Sequence, residues 1–190
     1  MGKLPSHAKK VFEGVIFDVY QWEQKMYDGS TAVFERLDRA DTVEIIAVTL
    51  EGKILIQRQQ QPDSEEWFLD TIAGRVEADE EPFDGAKREM LEETGYASEA
   101  WFPLEVFRPN GKIDWNIHLF VARDSQKVSE QNLDPGERIE VREVTFDEFI
   151  ELVDTHKMKR VSYPLRERCI RAKYDSAKKE EFRAEIFGGL

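Results

Sequence analysis

Three glutamates near the middle of the chain have the types and the spacing of metal ligands on a single helix. Glu89, Glu92 and Glu93 stand at positions i, i+3 and i+4, so a helix places their side chains on one face, a few ångströms apart. Like charges at this spacing destabilise a helix by roughly a few tenths of a kcal/mol per pair. A hard divalent cation such as Mg²⁺, which prefers oxygen ligands, would reverse that cost. The triplet alone is equally typical of a solvated acidic helix face, so the surrounding sequence is needed to distinguish that face from a metal site.

The residues on both sides of the triplet predict the helix that carries it. Pro82 suits a first helical position, acidic residues surround it, and Gly95 suits the stop. Phe83, Ala86 and Met90 form a neighbouring apolar arc that can pack on a core. We therefore expect a helix that is anchored along one side and acidic along another.

The wider pattern from Gly74 to Tyr96 resembles the signature box of the Nudix hydrolases. It reads GRVEADEEPFDGAKREMLEETGY, and the fixed positions of the family are met at Gly74, Glu80, Arg88, Glu89, Glu92, Glu93 and Gly95. Tyr96 stands where the family usually has an aliphatic residue. The resemblance implies a mixed sheet between helices and the hydrolysis of a nucleoside diphosphate linked to another moiety.

The sequences that flank the box resemble the ADP-ribose pyrophosphatase branch of this family, which acts on nucleoside diphosphate sugars. The predicted strand ILIQRQQQP (54–62) keeps the branch's Arg-Gln pair, but Gln61 stands where an arginine is usual. The segment DTIAG (70–74) replaces the usual ELPAG. These departures bear on which nucleotide sugar is used more than on the hydrolysis itself.

The resemblance also implies a metal site and a catalytic base. The implied ion is Mg²⁺, with Mn²⁺ as an alternative, and its ligands are Glu89, Glu92, Glu93 and the carbonyl of Ala73. An acid beside the ion then positions or deprotonates the attacking water. Glu137, in the acidic loop before IEV (139–141), best matches that base. Glu92 and Glu93 are the alternatives within the box, and Glu137 is otherwise one of many surface acids.

Four residues of the box are expected to support the site. Gly74 lets backbone come close to the metal, and Gly95 ends the helix. Arg88 is expected to orient the glutamates through a salt bridge to Glu80, since a planar guanidinium can hold a carboxylate by two hydrogen bonds. We interpret Glu80 and Arg88 as an ion pair with a structural role.

Four other residues are candidates for substrate binding. Arg58 is expected either to contact phosphate or to point to solvent. Trp22 is expected either to stack on a nucleobase or to pack within the N-terminal lobe or a dimer interface. Gly111 and Asp114 lie where the branch has an SPGxxxE loop, with the acid shortened to Asp114.

Composition limits the partners of this chain. Its 190 residues carry 27 Lys+Arg against 39 Asp+Glu, a net charge of −12, which argues against non-specific binding to nucleic acid or anionic membranes. No apolar run approaches the ~18 residues of a membrane span. The single Cys169 excludes an internal disulfide framework and fits a reducing cytoplasm. The expected partner is a nucleotide-sugar substrate, and the expected location is the cytoplasm.

The order of elements along the chain predicts an α+β fold with a mixed sheet, which the family resemblance makes an α/β/α sandwich. Strands are predicted at 11–22, 31–37, 43–50, 53–59, 101–107, 114–122 and 139–145, with helices at 146–155 and 164–185 and a polar loop at 124–136. Residues 1–40 are expected to form a β-hairpin lobe, and 41–190 the Nudix domain. Because a lone hairpin is marginal in water, the lobe is expected to pack on the body or to mediate a homodimer.

Three functions remain open at this point. The leading one is Mg²⁺-dependent hydrolysis of an ADP-ribose-like nucleoside diphosphate sugar. A house-cleaning nucleoside triphosphatase or a dinucleoside polyphosphate hydrolase is an alternative in the same class, which the N-terminal lobe disfavours. A non-catalytic Nudix-fold nucleotide sensor is the third, although such modules commonly lose box glutamates that this chain keeps.

Overall fold

The computed structural model describes residues 4–188, and within that range the chain forms two β-sheets and four helices. The strands are β1 (Lys9–Phe12), β2 (Asp18–Lys25), β3 (Thr31–Asp38), β4 (Thr42–Thr49), β5 (Ile54–Gln60), β6 (Phe68–Asp70), β7 (Ile72–Arg75), β8 (Tyr96–Ala97), β9 (Ala100–Phe107), β10 (Ile113–Asp114), β11 (Ile117–Lys127) and β12 (Arg138–Val144). The helices are α1 (Pro82–Thr94), α2 (Phe146–Asp154), α3 (Tyr163–Tyr174) and α4 (Ser176–Phe187).

The larger sheet is mixed and splits near its centre. Its strand order is β12-β5-β4-β11-β8, with β9 also paired to β11. β4 and β11 run parallel, whereas the other pairs of this sheet are antiparallel. β4 meets β5 at Val48 and Ile54; beyond that point β7 pairs with β4 and β6 pairs with β5. The divergence brings the segment 68–75 between the two central strands.

The two faces of β4 carry the two apolar cores, because successive side chains of a strand point to opposite faces. Val43, Ile45 and Ala47 belong to a cluster that includes the α1 residues Ala86 and Met90. Ile46 and Val48 belong to the other cluster, which contains residues of α2, α3 and α4. The sheet is therefore covered by helices on both sides, and the predicted α+β sandwich with a mixed sheet is confirmed.

Helix α1 begins and ends where the sequence predicts. Pro82 is its first residue, and Gly95 follows its last with a φ of +75°. The Gly95 amide donates to the carbonyl of Leu91 at 2.8 Å. A Cβ at position 95 would lie 2.2 Å from the carbonyl oxygen of Ser129, so both the left-handed backbone and the close packing require glycine here.

The predicted continuous helix 164–185 is wrong, because Asp175 divides it into α3 and α4. The backbone of Asp175 is extended, with φ −136° and ψ 115°. Its Oδ1 accepts hydrogen bonds from the amides of Ala177 and Lys178 at 2.9 and 3.2 Å. An aspartate that caps the amides of a following helix stabilises a new start instead of a continuation.

Two predicted strand boundaries also differ from the structure. The predicted strand 11–22 is interrupted between β1 and β2, where the Gly14 amide donates to Asp18 at 3.2 Å. The predicted loop 124–136 begins later, because β11 continues to Lys127 past an irregularity at Asp124, whose φ is +54°. Local turn and bulge geometry overrides the sequence pattern in both places.

The N-terminal lobe is built around the hairpin of β2 and β3. β1 adds to β2, and β10, from far along the chain, pairs in parallel with β3, which gives the order β1-β2-β3-β10. Among the described residues of this lobe, six large apolar side chains are exposed: Val11, Phe12, Val15, Ile16, Tyr27 and Val33. Residues 1–3 of the predicted lobe lie outside the described residues, and its role in a homodimer stays a prediction.

None of the helices within 4–188 is both long and apolar enough to cross a membrane. Cys169 has no disulfide and is fully buried in the core that α2, α3 and α4 cover.

Candidate active site

A cavity of about 690 Å³ lies between the diverging strands β4 and β5. This volume is typical of small-molecule sites. Four of the residues predicted from sequence line it: Ala73, Gly74, Glu93 and Glu137. The fold thus brings the start of the Nudix-like box, one of its glutamates and the candidate base from the loop before β12 to a single cavity.

Glu93 is the most buried of the box glutamates, with 5% of its surface exposed. Its Oε2 accepts a hydrogen bond from Gln57 Nε2 at 2.6 Å. Burial raises the pKa of Glu93 well above its usual range, and the nearby charges of Glu89 and Glu137 raise it further. A carboxylate in this position gains from a cation that compensates its charge.

Glu89 lies directly beneath Gly74. A Cβ at position 74 would come within 1.9 Å of the Glu89 carboxyl carbon and 2.2 Å of both carboxyl oxygens. The missing side chain of Gly74 therefore provides the space that the Glu89 carboxylate occupies. Burial raises the pKa of Glu89 as well, and Arg88 opposes that shift.

Arg88 ties the acidic residues of the site together. Its Nε and Nη2 donate to the two oxygens of Glu80 at 2.9 and 3.0 Å, which is the predicted bidentate pair. Its Nη1 donates to Glu89 Oε1 at 2.9 Å and to Glu92 Oε2 at 3.1 Å, and its Nη2 also reaches the carbonyl of Arg75. These hydrogen bonds, led by that to Glu80, raise the pKa of Arg88.

The oxygen atoms around Gly74 are of the type that binds a hard divalent cation. Glu89 and Glu93 are part-buried or buried acids, Gly74 leaves the space a side chain would fill, and the adjacent Ala73 is exposed to the cavity. Oxygen donors of this kind are those that Mg²⁺ prefers. Within 4–188, however, no three His, Cys, Asp or Glu side chains converge as a ready metal cluster; Arg88 holds one oxygen each of Glu89 and Glu92.

The structure does not bring Arg58 or Trp22 to this cavity. Arg58 Nη1 donates to both oxygens of Glu140 at 3.0 Å, and its guanidinium lies 4.2 Å from the centre of the Trp67 ring. Trp22 is buried in the lobe against Phe34, with ring centres 6.0 Å apart. Arg58 thus pairs with Glu140 instead of simply pointing to solvent, and Trp22 packs within the lobe; a role of either residue in substrate binding stays a prediction.

Gly111 and Asp114 lie beside the cavity without lining it. Asp114 accepts a hydrogen bond from Arg108 at 2.5 Å and stands opposite Asp38 in the β3–β10 pair. The neighbours of these two residues, Pro109 and Trp115, do line the cavity. The loop therefore approaches the site through different residues from those that the pattern indicates.

Two arginines that sequence reasoning missed line the same cavity. Arg39 and Arg75 come from the end of the lobe and the end of β7. Burial lowers the pKa of Arg39, and the positive charge of Arg75 lowers it further. Arg39 stacks on Trp115, its guanidinium carbon 4.5 Å from the ring centre. Neither arginine belongs to a motif, and only the folded chain shows that they face one cavity.

A second polar wall of the cavity is formed by residues that the sequence also did not indicate. Asp70, 2% exposed, accepts hydrogen bonds from Arg160 Nε at 2.8 Å and from Gln59 Nε2 at 3.2 Å. Glu44 Oε1 accepts from Thr71 Oγ1 at 3.0 Å. Burial raises the pKa of Glu44 to about 7, although its hydrogen-bonding neighbours oppose the shift. Acids buried to this degree are uncommon outside functional sites.

Comparison with known proteins supplies the family context. The family model described as the NUDIX domain matches residues 38–166. The chain is 31% identical over 152 residues to the ADP-ribose pyrophosphatase of Bacillus subtilis (strain 168), covering 79% of this chain and 82% of that protein. It is 32% identical over 159 residues to the methanol dehydrogenase activator of Bacillus methanolicus, covering 80% of this chain and 86% of the relative.

Solved structures agree on the fold. A crystal structure described as an ADP compounds hydrolase superposes with a TM-score of 0.69 at 17% identity, covering 95% of this chain and 94% of the other. At that identity the likeness concerns the architecture, whereas the two curated relatives show common descent over most of the chain.

Proposed function

This chain belongs to the Nudix family and is a Nudix hydrolase, and from that premise we propose that it hydrolyses the diphosphate bond of a nucleoside diphosphate sugar, most similar to ADP-ribose, with Mg²⁺. The name of the Bacillus subtilis relative supports an ADP-ribose-like substrate. The Bacillus methanolicus relative has a different functional name at a similar identity. The names alone therefore do not identify the substrate, and the proposal is argued from the geometry of the site.

The observation that carries this proposal is the arrangement of opposite charges around one cavity. Arg39 and Arg75 line it together with Glu93 and Glu137. The positive charge of Arg75 lowers the pKa of Arg39, and a diphosphate that entered between the two arginines would offset this repulsion. The acids would repel the same diphosphate unless a cation lay between them. A diphosphate that is bridged to the carboxylates by a metal ion would compensate the charge of the arginines, and the ion would compensate the charge of the acids.

The residues around Gly74 define the metal end of the proposed site. Glu89, Glu93 and the carbonyl of Ala73 would hold the ion, with the second oxygen of Glu92 as a further ligand. When bound, a divalent ion neutralises the diphosphate and lowers the pKa of a bound water. Arg88 keeps Glu89 and Glu92 at fixed positions, because it donates to one oxygen of each.

Glu137 is the proposed base. It lines the cavity from the loop before β12, and its Oε2 accepts from the Asp134 amide at 3.0 Å, which fixes the carboxyl group. A carboxylate held this way can take the proton of the attacking water while the arginines hold the diphosphate. Glu93 and Glu92 remain the alternatives for this step.

Assays of phosphate release, coupled to a phosphatase, test the proposal. The panel comprises ADP-ribose, ADP-glucose, GDP-mannose, diadenosine polyphosphates, NADH and the nucleoside triphosphates, with Mg²⁺ and with Mn²⁺. We expect turnover of diphosphate sugars, and a loss of orders of magnitude in kcat for Glu93→Gln and Glu137→Gln. Glu140→Gln is the matched control, because Glu140 is an exposed acid on the adjacent strand, paired with Arg58 outside the cavity.

The outcomes separate the three functions. Turnover of triphosphates or dinucleoside polyphosphates in place of diphosphate sugars would move the assignment to the first alternative. Absence of turnover with either metal, combined with tight nucleotide binding that Glu93→Gln leaves intact, would indicate the sensor role.

The proposal also covers the domains of the chain, its oligomeric state and its location. We propose that residues 1–40 form a lobe that mediates a homodimer, that 41–190 form the catalytic domain, and that the enzyme acts in the cytoplasm. The exposed apolar residues of the lobe support the first point, because exposed apolar patches commonly mark interfaces. The single cysteine, which is buried and forms no disulfide, supports the last.

A further inference from the structure

Glu44 is a buried carboxyl group that the proposed hydrolytic mechanism does not use. It lies on the central strand β4, is 2% exposed, and borders one of the two apolar cores, since Ile46 and Val48 share its face. Its Oε1 accepts from Thr71 Oγ1 at 3.0 Å and from the Ser162 amide at 3.2 Å. Its other oxygen, Oε2, is buried and has no hydrogen-bond partner among residues 4–188.

An unpartnered oxygen of this kind is costly in a fold. Leaving a buried polar atom unsatisfied costs roughly 1–3 kcal/mol, and more when the group is charged. An aliphatic residue would continue the strand without that cost, as Ile46 and Val48 do on the same face. The sequence thus keeps a group at this position that destabilises the free protein, which is typical of a binding site.

Glu44 reaches the same cavity as the diphosphate site. It lines that cavity, and it stands opposite Ala73 in the β4–β7 pair. Ser162, whose amide donates to Glu44 Oε1, lines the cavity beside it. Asp70 and Arg160, joined at 2.8 Å, complete this wall.

We propose that Glu44 is a specificity-determining residue, whose free carboxyl oxygen binds a hydroxyl group of the sugar joined to the diphosphate. This inference rests on the proposed function. It adds that the sugar of the substrate is recognised by Glu44. A sugar hydroxyl both donates and accepts, so it pairs with a carboxyl group in either protonation state. A further phosphate would be repelled by Glu44 and Asp70, and an apolar group would leave the buried oxygen unsatisfied.

Calorimetry in EDTA tests the inference without turnover. Binding of ADP-ribose, ADP-glucose and GDP-mannose is compared with binding of ADP and GDP, so that each ratio of Kd values measures what the sugar adds. Arg39 and Arg75 line the cavity and would contact the diphosphate. The acids of the cavity weaken this binding when no metal is present, but they do so for the sugar nucleotides and for ADP and GDP, so the loss is common to both terms of each ratio. The proteins are the full chain and its Glu44→Leu, Glu44→Gln and Cys169→Ala variants.

Glu44→Leu removes hydrogen bonding at similar volume, whereas Glu44→Gln retains a group that accepts and donates. Cys169→Ala is the matched control, because Cys169 is fully buried in the core that Glu44 also faces and lies close enough for the two groups to interact electrostatically. We expect at least one sugar to tighten binding to the unmodified chain, and Glu44→Leu to weaken that sugar contribution by about 10- to 100-fold. Glu44→Gln should restore part of it, and Cys169→Ala should leave the ratio unchanged.

Two results would overturn the inference. One is that no sugar nucleotide binds the unmodified chain more tightly than its nucleoside diphosphate; the other is that Glu44→Leu and Cys169→Ala alter the sugar contribution equally. Failure of the proposed function is distinguished by a different measurement, namely the absence of turnover by the unmodified chain with Mg²⁺ and Mn²⁺. A melting curve of each variant confirms that it is folded before binding is compared.

Discussion

The replacement Gly74→Ala gives the sharpest test of how the site is built. The backbone of Gly74 does not use the left-handed region, so alanine adopts its conformation without strain. The obstacle is the added methyl group, which would lie 1.9 Å from the Glu89 carboxyl carbon. Because carbon atoms pack at about 3.5–4.0 Å, the carboxylate has to move by about 2 Å, which a flexible glutamate side chain can do.

This displacement should reduce activity far more than stability. A misplacement of about 1 Å in an active site can cost about 100-fold in rate, and disturbing the environment of a metal ligand costs about 10- to 100-fold in metal affinity. We therefore expect kcat/KM to fall by at least about 100-fold at a fixed Mg²⁺ concentration, which corresponds to about 2.7 kcal/mol. The melting temperature of the metal-free protein should change little.

The assay is the dependence of kcat/KM on Mg²⁺ concentration, together with a melting curve in EDTA. Gly136→Ala is the control, because a Cβ there meets only ordinary contact, with Pro62 Cγ at 3.4 Å. If Gly74→Ala retains full activity and the same Mg²⁺ dependence, the position of Glu89 is not what the metal site requires. If it loses activity only because it unfolds, the argument from local displacement is equally wrong.

Three further predictions follow from the site, the lobe and the helices. Burial raises the folded pKa of Glu93 above the 4.5 of an unperturbed glutamate, so its ionisation removes stability as pH rises from about 4.5 through the folded pKa. In EDTA, Glu93→Gln should therefore melt higher than the unmodified chain at pH 7–8 and lose that advantage toward pH 4.5, whereas Mg²⁺ should stabilise the unmodified chain alone; equal melting curves at all pH values would contradict this. Val15, 94% exposed, and Phe12 lie on the lobe; the double replacement of both by aspartate should convert a dimer into a monomer in light scattering, and a monomeric unmodified chain would refute the dimer. Asp175→Ala removes the cap between α3 and α4 and should cost about 1 kcal/mol, lowering the melting temperature by about 2–4 °C with unchanged activity; no shift would mean that the cap is dispensable.

The sequence predicts the part of the site that lies on contiguous residues. Glu89, Glu92 and Glu93 share a helix whose start and stop are marked by Pro82 and Gly95, and helical spacing alone puts the three on one face. The pairing of Arg88 with Glu80 also follows from the pattern, because both belong to the same short segment. Local geometry determines each of these features, and local geometry is what a sequence encodes most directly.

Breaks in regular structure are less visible to a pattern. The interruption at Gly14 and the cap at Asp175 each involve one or two hydrogen bonds from backbone amides to an aspartate side chain. The apolar and charged residues around them continue the period of the element, so the pattern predicts one long element where the chain forms two. A side chain that competes for backbone hydrogen bonds decides the outcome.

Contacts between distant segments were decided by the tertiary structure. Arg58 looks like a phosphate ligand in the sequence, yet the pairing of β5 with β12 places it against Glu140. Arg39 and Arg75 carry no motif, and they face one cavity because the lobe and β7 meet at the edge of the split sheet.

The same limit applies to Glu44. In the sequence it is one acid within an apolar strand, VEIIAVTL, and nothing local shows that its second oxygen lacks a partner. That property depends on Thr71 and Ser162, which approach it from two other segments of the chain. The sequence by itself determined the helix that carries Glu89, Glu92 and Glu93 and the spacing of these residues, because they lie within one element. The tertiary structure decided which arginines and which buried acid line the cavity that Glu93 also lines, because only long-range strand pairing brings them together.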